Sequence, residues 1–164
     1  MSATLAELER LYLGRFPDYL RVATALTGNV ESGREAVHDG FVNAVRARSQ
    51  FRGRGTLDGW VWKAVVNSAL SCQRHDRRRP AQGLGDVAES DCDLPPDAEV
   101  LVDVRSAVSA LPERQRVALF LRYYADRDYQ SIADVTGVSE GTVGATLHAA
   151  HRALRERLQE VPVS

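Results

Sequence analysis

The chain has 164 residues, 44% of them hydrophobic and 26% charged, which is the profile of a soluble globular protein with one ordinary domain or two small ones. No apolar run is long enough to cross a bilayer, and MSATLAELER lacks the basic-then-apolar layout of a signal peptide, so the expected location is the cytoplasm, without membrane insertion. The net charge of −1 hides a strong segregation: residues 45–79 carry nine basic and two acidic residues, whereas residues 80–104 carry seven acidic residues and no basic one.

Apolar residues recur at helical spacing everywhere outside one segment, and no alternating strand pattern is present, which predicts an all-α chain. A first helix is expected over Leu5–Leu26, with Leu8, Leu11, Tyr12, Phe16, Tyr19, Leu20, Ala23 and Leu26 facing a core and Thr27-Gly28 ending it. A second helix covers about Ser32–Ser49, with Val37, Phe41 and Val45 on one face. The Gly- and Arg-rich loop FRGRGTLDG follows, where Thr56 can cap the next helix. That third helix spans Leu57 to about Arg78, with Trp60, Val61, Ala64, Val65 and Leu70 as core candidates, and Pro80 helps to end it. The basic block runs from Arg46 to Arg79 and interleaves Phe51, Trp60 and Trp62. A solvated helix end would look similar, but arginines mixed with aromatic residues favour a nucleic-acid footprint.

Residues 80–99 are rich in Gly, Pro, Ser and Asp, show no period, and read as an acidic linker between residues 1–79 and 100–164. Beyond it, helices are expected over Asp97–Ala110 and, with Pro112 in its first turn, Glu113–Tyr124. Leu111, Val117, Leu119, Phe120, Leu121 and Tyr124 would join a small core. Next comes YQSIADVTGVSEGTVGATLHAAHRALRERL. Ala133 is small where two helices would cross, Gly137 can take a left-handed turn, Ser139 can cap the second helix and Val143 can pack it on the first. Together they form a helix-turn-helix.

Metal and catalytic chemistry find little support. Cys72 and Cys92 read as free thiols; Cys72 with His75, and His148 with His151, have ligand-like spacing but no second pair to complete a site. With no nucleophile–base pair, P-loop or metal cluster, neither an enzyme nor a cofactor is expected.

Three stretches resemble the sigma-70 family of bacterial RNA polymerase sigma factors, in its extracytoplasmic-function (ECF) group. LTGNVESGREAVHDGFVNAVR is similar to the polymerase-docking part of region two. FRGRGTLDGWVWKAVVNSALSCQRHDRRRP is similar to the loop and helix that open the promoter, and ALPERQRVALFLRYYADRDYQSIADVTGVSEGTVGATLHAAHRALRERL to region four. The resemblance implies a two-domain helical fold in which residues 1–79 dock on core polymerase and read the minus-ten element, and residues 100–164 read the minus-thirty-five element. Glu35, His38, Asp39 and Phe41 would meet the β′ clamp helices, with the β flap as a second polymerase contact. Arg52, Arg54, Lys63, Asn67, Arg74, Arg77, Arg78 and Arg79 would hold minus-ten DNA, Asn67 through an amide that can pair with a base edge. Ser139, Thr142, Thr146, His148 and Arg152 would face minus-thirty-five DNA. Trp60 matches a tryptophan of structural role, and the acidic linker matches a segment that threads the polymerase RNA path. An anti-sigma factor is a further partner the resemblance suggests.

Two departures stand out. Ser71 replaces a customary acid. The reading helix has Gly144, Ala145, Thr146 and Ala149 where the family commonly carries Lys or Arg, and no Lys or Arg lies between Ser139 and His151. A sigma-like decoy that titrates an anti-sigma factor therefore remains the alternative, ahead of a stand-alone helix-turn-helix repressor, which would leave the first 80 residues without a role.

Overall fold

The computed structural model describes residues 2–78 and 98–160, with backbone alone for 98–102. The described residues form seven α-helices and one 3-10 turn, and no strand occurs among them. Arg79 and most of the acidic linker lie outside the described residues.

The first three helices form one antiparallel bundle. α1 spans Leu5–Thr27 and begins at a capping box: the Glu7 N–H donates to Thr4 Oγ1 at 3.3 Å, and the Thr4 N–H donates to Glu7 Oε2 at 2.8 Å. It runs through Pro17 and ends at Gly28, whose φ of 93° suits glycine. α2 covers Val30–Arg46, so it starts two residues earlier than the sequence suggests, because the Asn29 side chain already caps the Ser32 N–H at 2.8 Å. The chain leaves α2 at Arg46, and residues Arg48–Gln50 form the 3-10 turn. α3 spans Leu57–Arg78, and Thr56 caps it as expected, accepting from the Gly59 N–H at 3.0 Å.

Two glycines on α2 set how closely this bundle packs. A Cβ on Gly40 would lie 2.7 Å from the Val65 Cα on α3, and one on Gly33 would lie 2.8 Å from the Thr24 backbone on α1. The core between the helices holds Tyr19, Val37, Phe41, Val61, Trp62 and Val65. Phe41 meets Tyr12 and Tyr19 edge-on, at centroid distances of 4.9 and 5.2 Å.

The second half contains α4 (Ala98–Ser109), α5 (Glu113–Tyr123), α6 (Tyr129–Thr136) and α7 (Glu140–Gln159). Gly137, at φ 73°, and Ser139, which accepts from the Thr142 N–H at 3.1 Å, turn α6 into α7. Ala133 and Val143 are buried at this turn, so the expected helix-turn-helix is present. Tyr124 corrects one core expectation: it is 49% exposed, because it follows the last turn of α5 and stacks on Phe120 at the rim.

The halves are not independent bodies. α6 packs on α3 and α1 meets α5, so one apolar core runs from Leu8 to Ala150 through both bundles.

Candidate nucleic-acid interface

α2 and α3 enclose an open groove of about 1040 Å³ on the outer side of the first bundle. Glu35, His38 and Asp39 line it from α2, while Asn67, Cys72 and His75 line it from α3. The spacing explains the arrangement: Ala36, Val37 and Gly40 turn inward, which leaves the positions between them facing solvent. Phe41 does not join this surface. It is 7% exposed and its edges are occupied by tyrosines, so its part in any docking is to hold α2 in place.

Lys63, Asn67, Ser71, Arg74, Arg77 and Arg78 are exposed along α3, opposite buried Val61, Val65 and Ala69. The FRGRG loop leads into the same helix and exposes Arg52 and Arg54. Gly53 and Gly55 take φ of 72° and 77°, a backbone that L side chains resist, so the loop needs glycine on either side of Arg54. Arg74 is already engaged, donating to Glu113 Oε1 on α5 at 2.8 Å.

The aromatic residues of the basic block divide by burial. Trp62 is fully buried against Tyr19 at 4.4 Å and so is removed as a stacking surface, contrary to the reading of the basic block. Phe51 and Trp60 meet as a tilted pair with ring centroids 5.6 Å apart, and both are half-buried. Trp62 therefore takes the larger share of the core role expected of Trp60.

On α7, Ser139, Thr142, His148 and Arg152 are exposed and Thr146 is half-buried. The hydroxyls already have local partners. Ser139 Oγ lies 2.9 Å from Thr142 Oγ1, and Thr146 Oγ1 donates to the Thr142 carbonyl at 2.7 Å. His148 and Arg152 are the longer polar side chains left on this face. His151 bonds through Nε2 to Tyr123 Oη at 2.8 Å.

No metal-binding group of three His, Cys, Asp or Glu side chains occurs among the described residues. Cys72 is a free thiol. Burial pushes its pKa up, and the carboxylates of Asp76, Glu35 and Asp39 add to that, so the thiolate is disfavoured. Among the described residues, no helix is long and apolar enough to cross a membrane.

Two family models match in chain order: Sigma-70 region 2 over residues 11–79 and Sigma-70, region 4 over residues 101–159. Together they span well over half of the chain. The chain belongs to the sigma-70 family.

Its relatives place this sigma factor in the ECF group. It is 28% identical over 145 residues to the RNA polymerase sigma-H factor of Pseudomonas aeruginosa, covering 80% of this chain and 75% of that protein. It is 31% identical over 126 residues to the ECF sigma factor SigM of Mycobacterium tuberculosis, covering 75% of this chain and 62% of the relative. The fold also resembles that of the sigma factor RpoE, in its complex with the anti-sigma factor NepR from Bartonella quintana. The TM-score there is 0.67 at 19% identity, over 96% of this chain and 100% of the other.

Three residues central to the tertiary structure of this sigma factor had no sequence signal. Arg127 and Arg116 are 8% and 6% exposed, and both reach from the second half into the first. Arg127 Nη1 donates to Asp58 Oδ2 at 2.5 Å, and Arg116 Nη2 donates to Gln73 Oε1 at 3.2 Å. Their partners lie 69 and 43 positions away in the chain, and Asp58 sits in the first turn of α3.

Proposed function

We propose that this sigma factor binds core RNA polymerase, directs it to particular promoters and helps to open the minus-ten element. The observation that carries this reading is the exposed polar stripe of α3, Lys63–Asn67–Arg77–Arg78, continuous with the Arg52/Arg54 loop. The groove bearing Glu35, His38 and Asp39 is the docking surface for the β′ clamp helices, and the second half meets the β flap. The arginines neutralise phosphate, while Asn67 pairs with an exposed base edge. A base turned out of the stack beside the glycine loop costs a few kcal/mol to unstack, which stacking and arginine contacts offset. Arg79, outside the described residues, is proposed as a further contact to minus-ten DNA. Synthesis itself belongs to the polymerase, so the chain is a regulatory subunit acting in the cytoplasm rather than an enzyme.

Residues 139–152 supply weak minus-thirty-five contacts through Thr142, His148 and Arg152. Affinity at this element comes from tethering both halves to one polymerase, which raises the effective concentration of each weak site.

Run-off transcription with sigma-free core polymerase and a promoter pool tests this function. Initiation that disappears with Asn67→Ala, or with Arg77, Arg78 and Arg79 changed to Ala, is the expected result. A second reading, a decoy that captures an anti-sigma factor, draws on the α7 face without Lys or Arg between Ser139 and His151. Core binding without initiation, together with tight binding to an anti-sigma protein, would transfer the assignment to it.

A further inference from the structure

The connection between α5 and α6 is built to present one side chain. Asp126 stands at φ 51°, in the left-handed region that Asp tolerates better than most residues. The Arg127 N–H donates to the Leu121 carbonyl at 3.0 Å, and Arg122 Nη1 donates to the Arg127 carbonyl at 3.0 Å. With its backbone held on both sides, Arg127 sends its guanidinium into the other half of the molecule. There it bonds to Asp58 at 2.5 Å and lies 5.2 Å from the centre of the Trp62 ring. Asp58 also accepts from Tyr19 Oη at 3.3 Å and sits 3.8 Å from Arg15 Nε.

Arg127 Nε and Nη2 are buried without a partner, and among the described residues Asp58 is the one carboxylate in salt-bridge contact with this guanidinium. Removing one member of such a pair leaves an uncompensated buried charge, which is far more damaging than replacing both. At the far end of α3, Arg116 and the Arg74–Glu113 pair hold the same two halves together. Between these ends, a Cβ on Gly59 would lie 3.1 Å from Thr56 Oγ1 and 3.5 Å from the Asp134 Cβ on α6, so α3 and α6 are in van der Waals reach there.

We infer that Arg127 and Asp58 form a latch that keeps the free chain closed, with its two DNA-reading halves folded against each other. The consequence for DNA rests on the promoter-reading role proposed above. Elements named minus ten and minus thirty-five lie about 25 base pairs apart, or roughly 85 Å along the duplex. In the closed form α7 is two helix packings away from α3, about 20 Å. One closed body cannot reach both elements, so the latch must break before the promoter is read. The α2–α3 groove lies on another face of α3 and is open while the latch is shut, so docking on polymerase precedes opening.

The test uses the full chain without polymerase, and reads small-angle scattering and the emission of Trp62 in a Trp60→Phe background. Arg127→Glu is expected to enlarge the radius of gyration and shift Trp62 emission to the red, while helical circular dichroism is retained. Adding Asp58→Arg to Arg127→Glu restores opposite charges and is expected to reverse both changes. Gly59→Leu, which wedges α6 off α3 without altering charge, gives the opened form should Arg127→Glu fail to fold. For a closed form favoured about tenfold, either opened variant binds a minus-ten/minus-thirty-five promoter duplex about tenfold more tightly than the parent. An unchanged radius and emission in a folded Arg127→Glu chain would overturn the latch, whatever Gly59→Leu does. Opening without gain in promoter binding or run-off initiation would leave the latch standing and defeat the promoter role instead.

Discussion

At the scale of single residues, small caps hold the reading unit in shape. Ser139 accepts from the Thr142 N–H and Asp128 accepts from the Ser131 N–H, each fixing the start of one helix of the helix-turn-helix. Ser139→Ala is expected to lower stability by about 1 kcal/mol, read as a drop in the urea midpoint with an unchanged slope. Asp128 adds a pH dependence. Hydrogen bonds from the Ser131 side chain and N–H hold its carboxyl below the ordinary Asp range. A depressed folded pKa means that the contribution is complete above the unfolded value near 3.9 and disappears as pH falls through the folded one. The protection of the Ser131 amide, taken against its intrinsic exchange rate at each pH, should therefore fall in acid, and Asp128→Asn should flatten that response. Unchanged protection as pH falls through the folded pKa would remove Asp128 from the account.

Elements are positioned by what is missing as much as by what is present. α2 can lie close to α1 and α3 because Gly33 and Gly40 have no side chain at the crossings. Gly40→Ala places a methyl against the Val65 backbone, which cannot yield as a flexible side-chain tip would. The expected cost is about 1–3 kcal/mol in chemical denaturation, accompanied by weaker polymerase binding as the α2–α3 groove changes shape. Undiminished polymerase affinity in a destabilised Gly40→Ala chain would separate the groove from docking. The α3 stripe follows the same logic from the other side: burying Val61, Trp62, Val65 and Ala69 leaves Lys63 and Asn67 outward.

For the molecule as a whole, under the proposed promoter role, segregated charge and two tethered halves decide how DNA is met. The reading helix supplies few cations, so its substitutions should matter less than those on α3. In run-off transcription, Thr142→Ala and His148→Ala are expected to reduce initiation less than Asn67→Ala does. Equal or larger losses at α7 would show that the second half carries the main promoter affinity. On the proposed reading the α3 contacts are made largely to phosphate, so promoter binding should weaken steeply with salt, and neutralising Arg77 should lower the slope of log affinity against log salt by about 1.

The sequence by itself determined the helices, the helix-turn-helix and the polar stripe, since each follows from local periodicity and capping. Thr56, Gly137 and Ser139 act within one helical turn of their own positions, so their roles are readable without a partner. The family followed from three motifs in order. Only the tertiary structure decided which tryptophan is buried and that the halves share one interior. Trp62 is buried partly because Arg127, 65 positions along the chain, lies over its ring. Asp58 has its partner 69 positions away. Periodicity ranks residues by the face of their own helix, whereas these roles depend on which distant helix arrives at that face. A mixed-charge sequence offers many arginines, and only packing selects the two that are buried among the described residues.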